Sequence, residues 1–280
     1  MSKVFDTSFL NYDESVARIF NAMKPKIEKR KIVIKPNLTT NLNPPVTTDV
    51  NCVRAILKCL QNFNGEIIIA EGSGGCDTLK AFNALGYEEL CEEFGIRLID
   101  LNREERVEIE NHSALRLKSM LYPKILLDSY LISVPVPKEH SSAIITNSLK
   151  NMFGVYLSKK YLAKYSGLRK IGVIVARSIF ARGWSKADLH VFGVHESIYD
   201  LNLYKKPDLT ICDARIGQKG NEIDGVACKP PLNRIIGAFD PVACDSYVSK
   251  IFGYDWKEIK YLRYCHEKIG DAENVEVVRI

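Results

Sequence analysis

Six short apolar runs set the limits on how this chain can fold. They lie at residues 31–35 (KIVIK), 66–70 (EIIIA), 96–100 (IRLID), 130–136 (YLISVPV), 208–212 (DLTIC) and 234–239 (RIIGAF). Most are continuously apolar rather than alternating. Strands of that kind must be buried on both faces, the condition of a parallel sheet with helices on either side. Helical patterns fall between them. Residues 48–62 follow a Thr47-Thr48-Asp49 capping signal and carry Val50, Val53, Ile56, Leu57 and Leu60 on one side. Residues 77–94 are helix-like with a break at Gly86. Residues 241–252 start with Pro241 after a candidate Asp240 N-cap and end before Gly253. This alternation over 280 residues predicts an α/β fold, a mostly parallel sheet flanked by helices, as a single domain over 1–280. The irregular, glycine-bearing stretch that follows the fourth run leaves room for a small inserted subdomain around 155–190.

Composition narrows the classes. No apolar run approaches the roughly 20 residues that cross a bilayer, so no membrane partner is expected. The first eleven residues lack the basic start and apolar stretch of a signal peptide, which makes a cytoplasmic location the expectation. The eight cysteines (Cys52, Cys59, Cys76, Cys91, Cys212, Cys228, Cys244 and Cys265) are scattered, with no Cys-x-x-Cys pair. They read as reduced thiols without structural disulfides, and an iron–sulfur cluster is disfavoured as a cofactor. The net charge of +5 is modest. Lys159, Lys160, Lys164, Arg169 and Lys170 contribute to it as a solvated face, and no nucleic-acid-binding motif accompanies them. No Gly-x-Ser-x-Gly elbow is present, which disfavours a serine hydrolase. A homo-oligomer is left open.

In an open parallel sheet, ligands bind beyond the carboxyl ends of the strands. The strand exits here are polar: Lys35-Pro36-Asn37, the loop from Glu71 through Gly72, Ser73 and Gly74 to Gly75, Asp100-Leu101-Asn102, Pro137-Lys138-Glu139-His140, Asp213 and Asp240. Lysines converging on one edge suit a phosphate or carboxylate, and a buried lysine can serve as base or nucleophile. Lys35, Lys138, Lys150 and His140 are the candidate catalytic residues. Asn37, Glu71, Ser73, Asn151 and His190 are candidates for binding the substrate. Asp213, Asp240 and Asp245 could hold a hard cation such as Mg²⁺, although Asp240 also reads as an N-cap. The glycine-rich loop could cradle an anion or be a plain tight turn. Lys138 and His140, two apart in an extended segment, should face the same way. The ammonium should then keep that imidazole neutral and able to accept a proton.

These segments, taken in order, resemble a known family. Lys35-Pro36-Asn37, Thr47-Thr48-Asp49, Ala70-Glu71-Gly72-Ser73, Pro137-Lys138-x-His140, Leu149-Lys150-Asn151-x-x-Gly154, Asp188-Leu189-His190, Pro207 through Asp213, and Phe239 through Asp245 are similar to the family named domain of unknown function 362. The resemblance covers almost the whole chain. It implies that the candidate residues form one constellation. Some members resembling that family carry an attached ferredoxin-like cluster domain, but no Cys-x-x-Cys-x-x-Cys run occurs here. The expectation is an enzyme acting on a small anionic metabolite. The alternatives are a redox or iron–sulfur accessory protein and a non-catalytic anion-binding module.

Overall fold

The computed structural model describes residues 1–157, 186 and 188–280. The expected inserted subdomain and the basic run after residue 158 lie largely outside the described residues. The strands are β1 (Ser2–Ser8), β2 (Lys31–Pro36), β3 (Glu66–Glu71), β4 (Arg97–Asp100), β5 (Arg106–Glu110), β6 (Ser119–Pro123), β7 (Tyr130–Val134), β8 (Lys138–His140), β9 (Ile144–Thr146), β10 (Leu209–Ala214), β11 (Gln218–Lys219), β12 (Val226–Ala227), β13 (Arg234–Ala238) and β14 (Val275–Arg279). Eight of them form one sheet in the order β14-β1-β13-β10-β7-β2-β3-β4. Every pairing is parallel except those of β13, which runs antiparallel to both β1 and β10. A second sheet, β12-β11-β8-β9, continues from the carboxyl end of β7, and β5 pairs with β6 as a hairpin.

The helices cover both faces, as buried parallel strands require. On one face lie α1 (Tyr12–Met23), α2 (Val50–Cys59), α3 (Thr78–Ala84) and α4 (Tyr87–Phe94). They pack on Ile32, Ile34, Ile132, Leu209, Ile211 and Ile235. The remaining helices are α5 (Lys124–Leu127), α6 (Ser148–Asn151), α7 (Asp188–Val191), α8 (Val194–Tyr204), α9 (Pro241–Ile251) and α10 (Lys260–Cys265). They contribute to two clusters on the other face, around Val33, Ile68 and Leu131 and around Cys212, Ile236 and Ala238. The predicted boundaries have visible causes. Asp49, Asp77 and Asp240 each accept a backbone N–H in the first turn of α2, α3 and α9. The break at Gly86 is a left-handed residue with φ 77° between α3 and α4, a conformation glycine adopts without strain.

Candidate functional site

Alternation along β2 decides where the first lysine points. Ile32 and Ile34 face α1 and α2, so Val33 and Lys35 face the other way. Lys35 is fully buried. Its Nζ donates to Glu71 Oε1 at 2.7 Å, to Asn151 Oδ1 at 3.2 Å and to the Pro36 carbonyl at 3.4 Å. These are three acceptors for three ammonium protons, and one is a carboxylate. Burial lowers the Lys35 pKa, and Glu71 opposes that. Glu71, at the end of β3, also accepts the backbone N–H groups of Gly72 at 2.6 Å and Leu38 at 3.1 Å. Gly154 packs directly on this ion pair. A Cβ there would lie 2.1 Å from Glu71 Oε1 and 2.5 Å from Lys35 Nζ, so only glycine permits the approach.

Asparagines join this pair to a second lysine. Asn151, at the end of α6, donates to the Lys35 carbonyl at 3.1 Å and to Ser133 Oγ at 3.0 Å. Its Oδ1 also accepts from Asn37 Nδ2 at 3.3 Å. Asn37 Oδ1 in turn accepts from Lys138 Nζ at 3.0 Å, and the Val46 carbonyl accepts from the same amine at 2.7 Å. Lys138 is buried to 1% exposure, yet among the described residues it forms no ion pair with a carboxylate. Burial, reinforced by the neighbouring Lys150 charge, lowers its pKa to about 7 against the pull of Glu222 and Glu71. Lys150 is half-buried, with Nζ 4.6 Å from the centre of the Phe153 ring. Burial lowers its pKa to about 8, with Glu222 opposing.

His140 lies on the same side of β8 as Lys138, as their spacing predicts. Its Nδ1 accepts the backbone N–H groups of Ser142 at 3.0 Å and Ala143 at 3.1 Å. The neutral ring must then carry its proton on Nε2, which lies 3.0 Å from Glu222 Oε1. Burial, then the Lys150 charge, depresses its pKa to about 4. The expected cause was the Lys138 ammonium, but burial and Lys150 act first, and the backbone N–H groups already occupy the nitrogen that would accept a proton. Glu222 is drawn down to about 2 despite its burial, by the hydrogen bond to His140 and the nearby Lys150. His190 stacks on His140 with ring centres 5.6 Å apart and an interplanar angle of 12°, and is itself exposed. The cluster therefore meets solvent along the side of Lys150 and His190.

The carboxylates do not join it. Asp213 shares the parity of Leu209 and Ile211 on β10 and so points to the α1 and α2 face, away from Lys35. There it accepts from Tyr12 at 3.1 Å and from the Asp49 N–H at 3.3 Å, beside an Arg215–Asp49 ion pair of 3.2 Å. Asp240 follows β13, whose reversed direction carries it to the opposite edge of the sheet. It caps α9 and accepts from Ser2 at 2.7 Å. Asp245 is buried against α6 and accepts the N–H groups of Ser148 at 2.9 Å and Leu149 at 3.2 Å, which holds the helix that carries Lys150 and Asn151. The three aspartates expected to share a cation are thus held apart by alternation and strand direction. Among the described residues no three His, Cys, Asp or Glu side chains are grouped to hold a metal. Ser73 turns inward, donating to the Leu38 carbonyl at 2.5 Å. The N–H groups of Gly72, Ser73 and Gly75 bond to Glu71, Thr78 and Thr39 within the fold, so this loop is a structural turn.

Three participants were not singled out from the sequence. Glu222 comes from the loop between the two-residue strands β11 and β12, where no periodicity marks it. Thr48 accepts the Asn37 N–H at 2.9 Å and donates to the Val134 carbonyl at 2.6 Å; in the sequence it reads as part of a capping signal and of one family-like segment, not as a site residue. Lys186 donates to the carbonyls of Gly154 at 2.7 Å and Phe153 at 3.2 Å. Burial pushes its pKa well down, with Glu71 opposing.

No disulfide joins any of the eight cysteines. No helix among the described residues is long and apolar enough to cross a membrane. The fold resembles that of the lactate racemase apoprotein from Thermoanaerobacterium thermosaccharolyticum, at 17% identity and a TM-score of 0.47, over 91% of this chain. The likeness spans 57% of that protein's chain, little more than half its length. No curated protein matches. The model of one family, described as domain of unknown function (DUF362), matches residues 32–250, from the second strand to the end of α9 and through every segment of the lysine cluster. This chain belongs to that family.

Proposed function

We propose that this protein is an enzyme acting on a small carboxylate- or phosphate-bearing metabolite, with Lys138 as its reactive amine and Lys150 as the cation that holds the anion. One observation carries the reading. Lys138 is buried with only neutral oxygens on its amine, Lys150 lies over the Phe153 ring beside it, and neither is ion-paired among the described residues. Two such amines beside each other favour an incoming negative charge, and that preference strengthens where water is excluded. Asn37 and Asn151 fix the position of the Lys138 amine through the network that reaches Lys35. The Ser142 and Ala143 N–H groups hold the His140 ring in one tautomer, so that ring orients the site rather than taking up a proton.

The test is incubation of the purified protein with a defined set of small carboxylic and phosphoric acids, followed by mass spectrometry of the mixture. The reading expects one acid to be consumed by the wild type and spared by a folded Lys138→Met variant. Consumption that continues unchanged in Lys138→Met contradicts it.

A further inference from the structure

We infer that the substrate of this lysine site carries an aldehyde or ketone beside its anionic group, and that Lys138 attacks that carbonyl to form an imine. The inference rests on the reading of the lysine cluster as an anion site and goes beyond it by naming the substrate class.

The argument is a count of hydrogen bonds around two buried amines. Lys35 Nζ has three acceptors, one of them a carboxylate, which is the full complement of an ammonium ion. Lys138 Nζ has two, both neutral oxygens: Asn37 Oδ1 and the Val46 carbonyl. A neutral amine has two N–H groups and a lone pair, so these acceptors satisfy it completely. An ammonium ion in the same place would bury a third N–H with no partner among the described residues, beside the charge of Lys150. Lys150 is the better cation of the two, because it is less buried and lies over the Phe153 ring. An uncharged amine kept so by a neighbouring cation is the arrangement of nucleophilic lysines.

The step balances with these two residues alone. The Lys138 lone pair forms a C–N bond as the carbonyl π pair moves to oxygen. That oxygen takes one proton from Nζ and a second from the Lys150 ammonium, and leaves as water. The product is a protonated iminium with one N–H, for which Asn37 or Val46 remains an acceptor, and a neutral Lys150. The iminium is an electron sink for breaking a bond at the adjacent carbon.

Pyruvate and glyoxylate are the smallest stable probes of the class. Each is incubated with the full chain and cyanoborohydride, which reduces an imine to a stable secondary amine, and the adduct is located by peptide mass mapping. The expected result is one adduct per chain on Lys138, none in a folded Lys138→Arg variant, and labelling at least about tenfold slower in Lys150→Gln, which keeps the nucleophile and loses the proton donor. Calorimetric titration with the same acids and with inorganic phosphate separates the two readings. Heat of binding without an adduct on Lys138, or with adducts on Lys186 or exposed lysines instead, overturns the imine and leaves the anion site standing. The absence of both heat and adduct overturns both. Equal labelling rates in wild type and Lys150→Gln overturn the proton transfer assigned to Lys150.

Discussion

Lys35 and Lys138 belong to one buried hydrogen-bond network, joined through Asn151 and Asn37, yet Lys35 meets a carboxylate at 2.7 Å and Lys138 meets only neutral oxygens. The first arrangement gives an ammonium its full complement of acceptors, and the second gives an amine only two, both neutral. The two lysines should therefore fail differently when replaced.

Lys35→Met removes one partner of a buried ion pair and leaves Glu71 charged inside the protein. The expected cost is about 3–5 kcal/mol of folding stability, read from the midpoint of urea unfolding. A loss below about 1 kcal/mol would show that Glu71 is satisfied by the Leu38 and Gly72 N–H groups alone.

Gly154→Ala tests the same pair through packing. The added methyl would sit within van der Waals distance of both charged groups, so thermal melts should show a loss of at least about 1–3 kcal/mol. A folded variant with an unchanged melting temperature would mean that the turn after α6 shifts without cost.

The pH dependence of turnover follows from Lys138 near 7 and Lys150 near 8. The proposed reaction needs the first neutral and the second charged. It should rise as pH passes about 7 and fall above about 8, with both limbs belonging to the coupled pair. Removing the Lys150 charge relieves Lys138, so in Lys150→Gln the lower limb should move to higher pH. A lower limb that stays in place would show that burial alone sets the Lys138 value.

Asp213 makes a separate prediction on the far face. Burial, then Asp49, raises its pKa from the ordinary 3.8 to about 6, so the folded state holds its proton more tightly than the unfolded chain. Its contribution to stability is fully present below about pH 4 and is lost as pH rises through 6. Asp213→Asn mimics the protonated form at every pH. The stability difference between variant and wild type should therefore shift in favour of the variant by roughly 2–3 kcal/mol between pH 4 and 7.5. Urea unfolding at the two pH values measures it, and a constant difference would contradict the raised value.

The strand runs and capping residues were readable because their signals are local. Continuous apolar stretches gave β2, β3, β7 and β10, and Asp49 and Asp240 marked their helices. The lysine and asparagine cluster was readable because Lys35, Asn37 and Lys138 lie at or just beyond the exits of parallel strands. The aspartates were misplaced because sheet direction is a tertiary property: nothing within residues 234–239 says that β13 runs backwards and carries Asp240 to the other edge. Asp213 was misplaced by parity, since an exit loop does not reveal which face its last strand residue occupies. Glu222 left no signal because its loop has no period, and it reaches His140 only through the pairing of β11 with β8.

The central claim is that the site takes an anion and that the Lys150 ammonium holds it. Isothermal titration of pyruvate and inorganic phosphate into wild type and Lys150→Gln, with melts confirming that both are folded, tests it most directly. The account predicts binding to the wild type and a loss of about 1.5–3 kcal/mol in the variant, roughly ten- to a hundredfold in affinity. A folded Lys150→Gln protein that binds these anions as tightly as the wild type would contradict it.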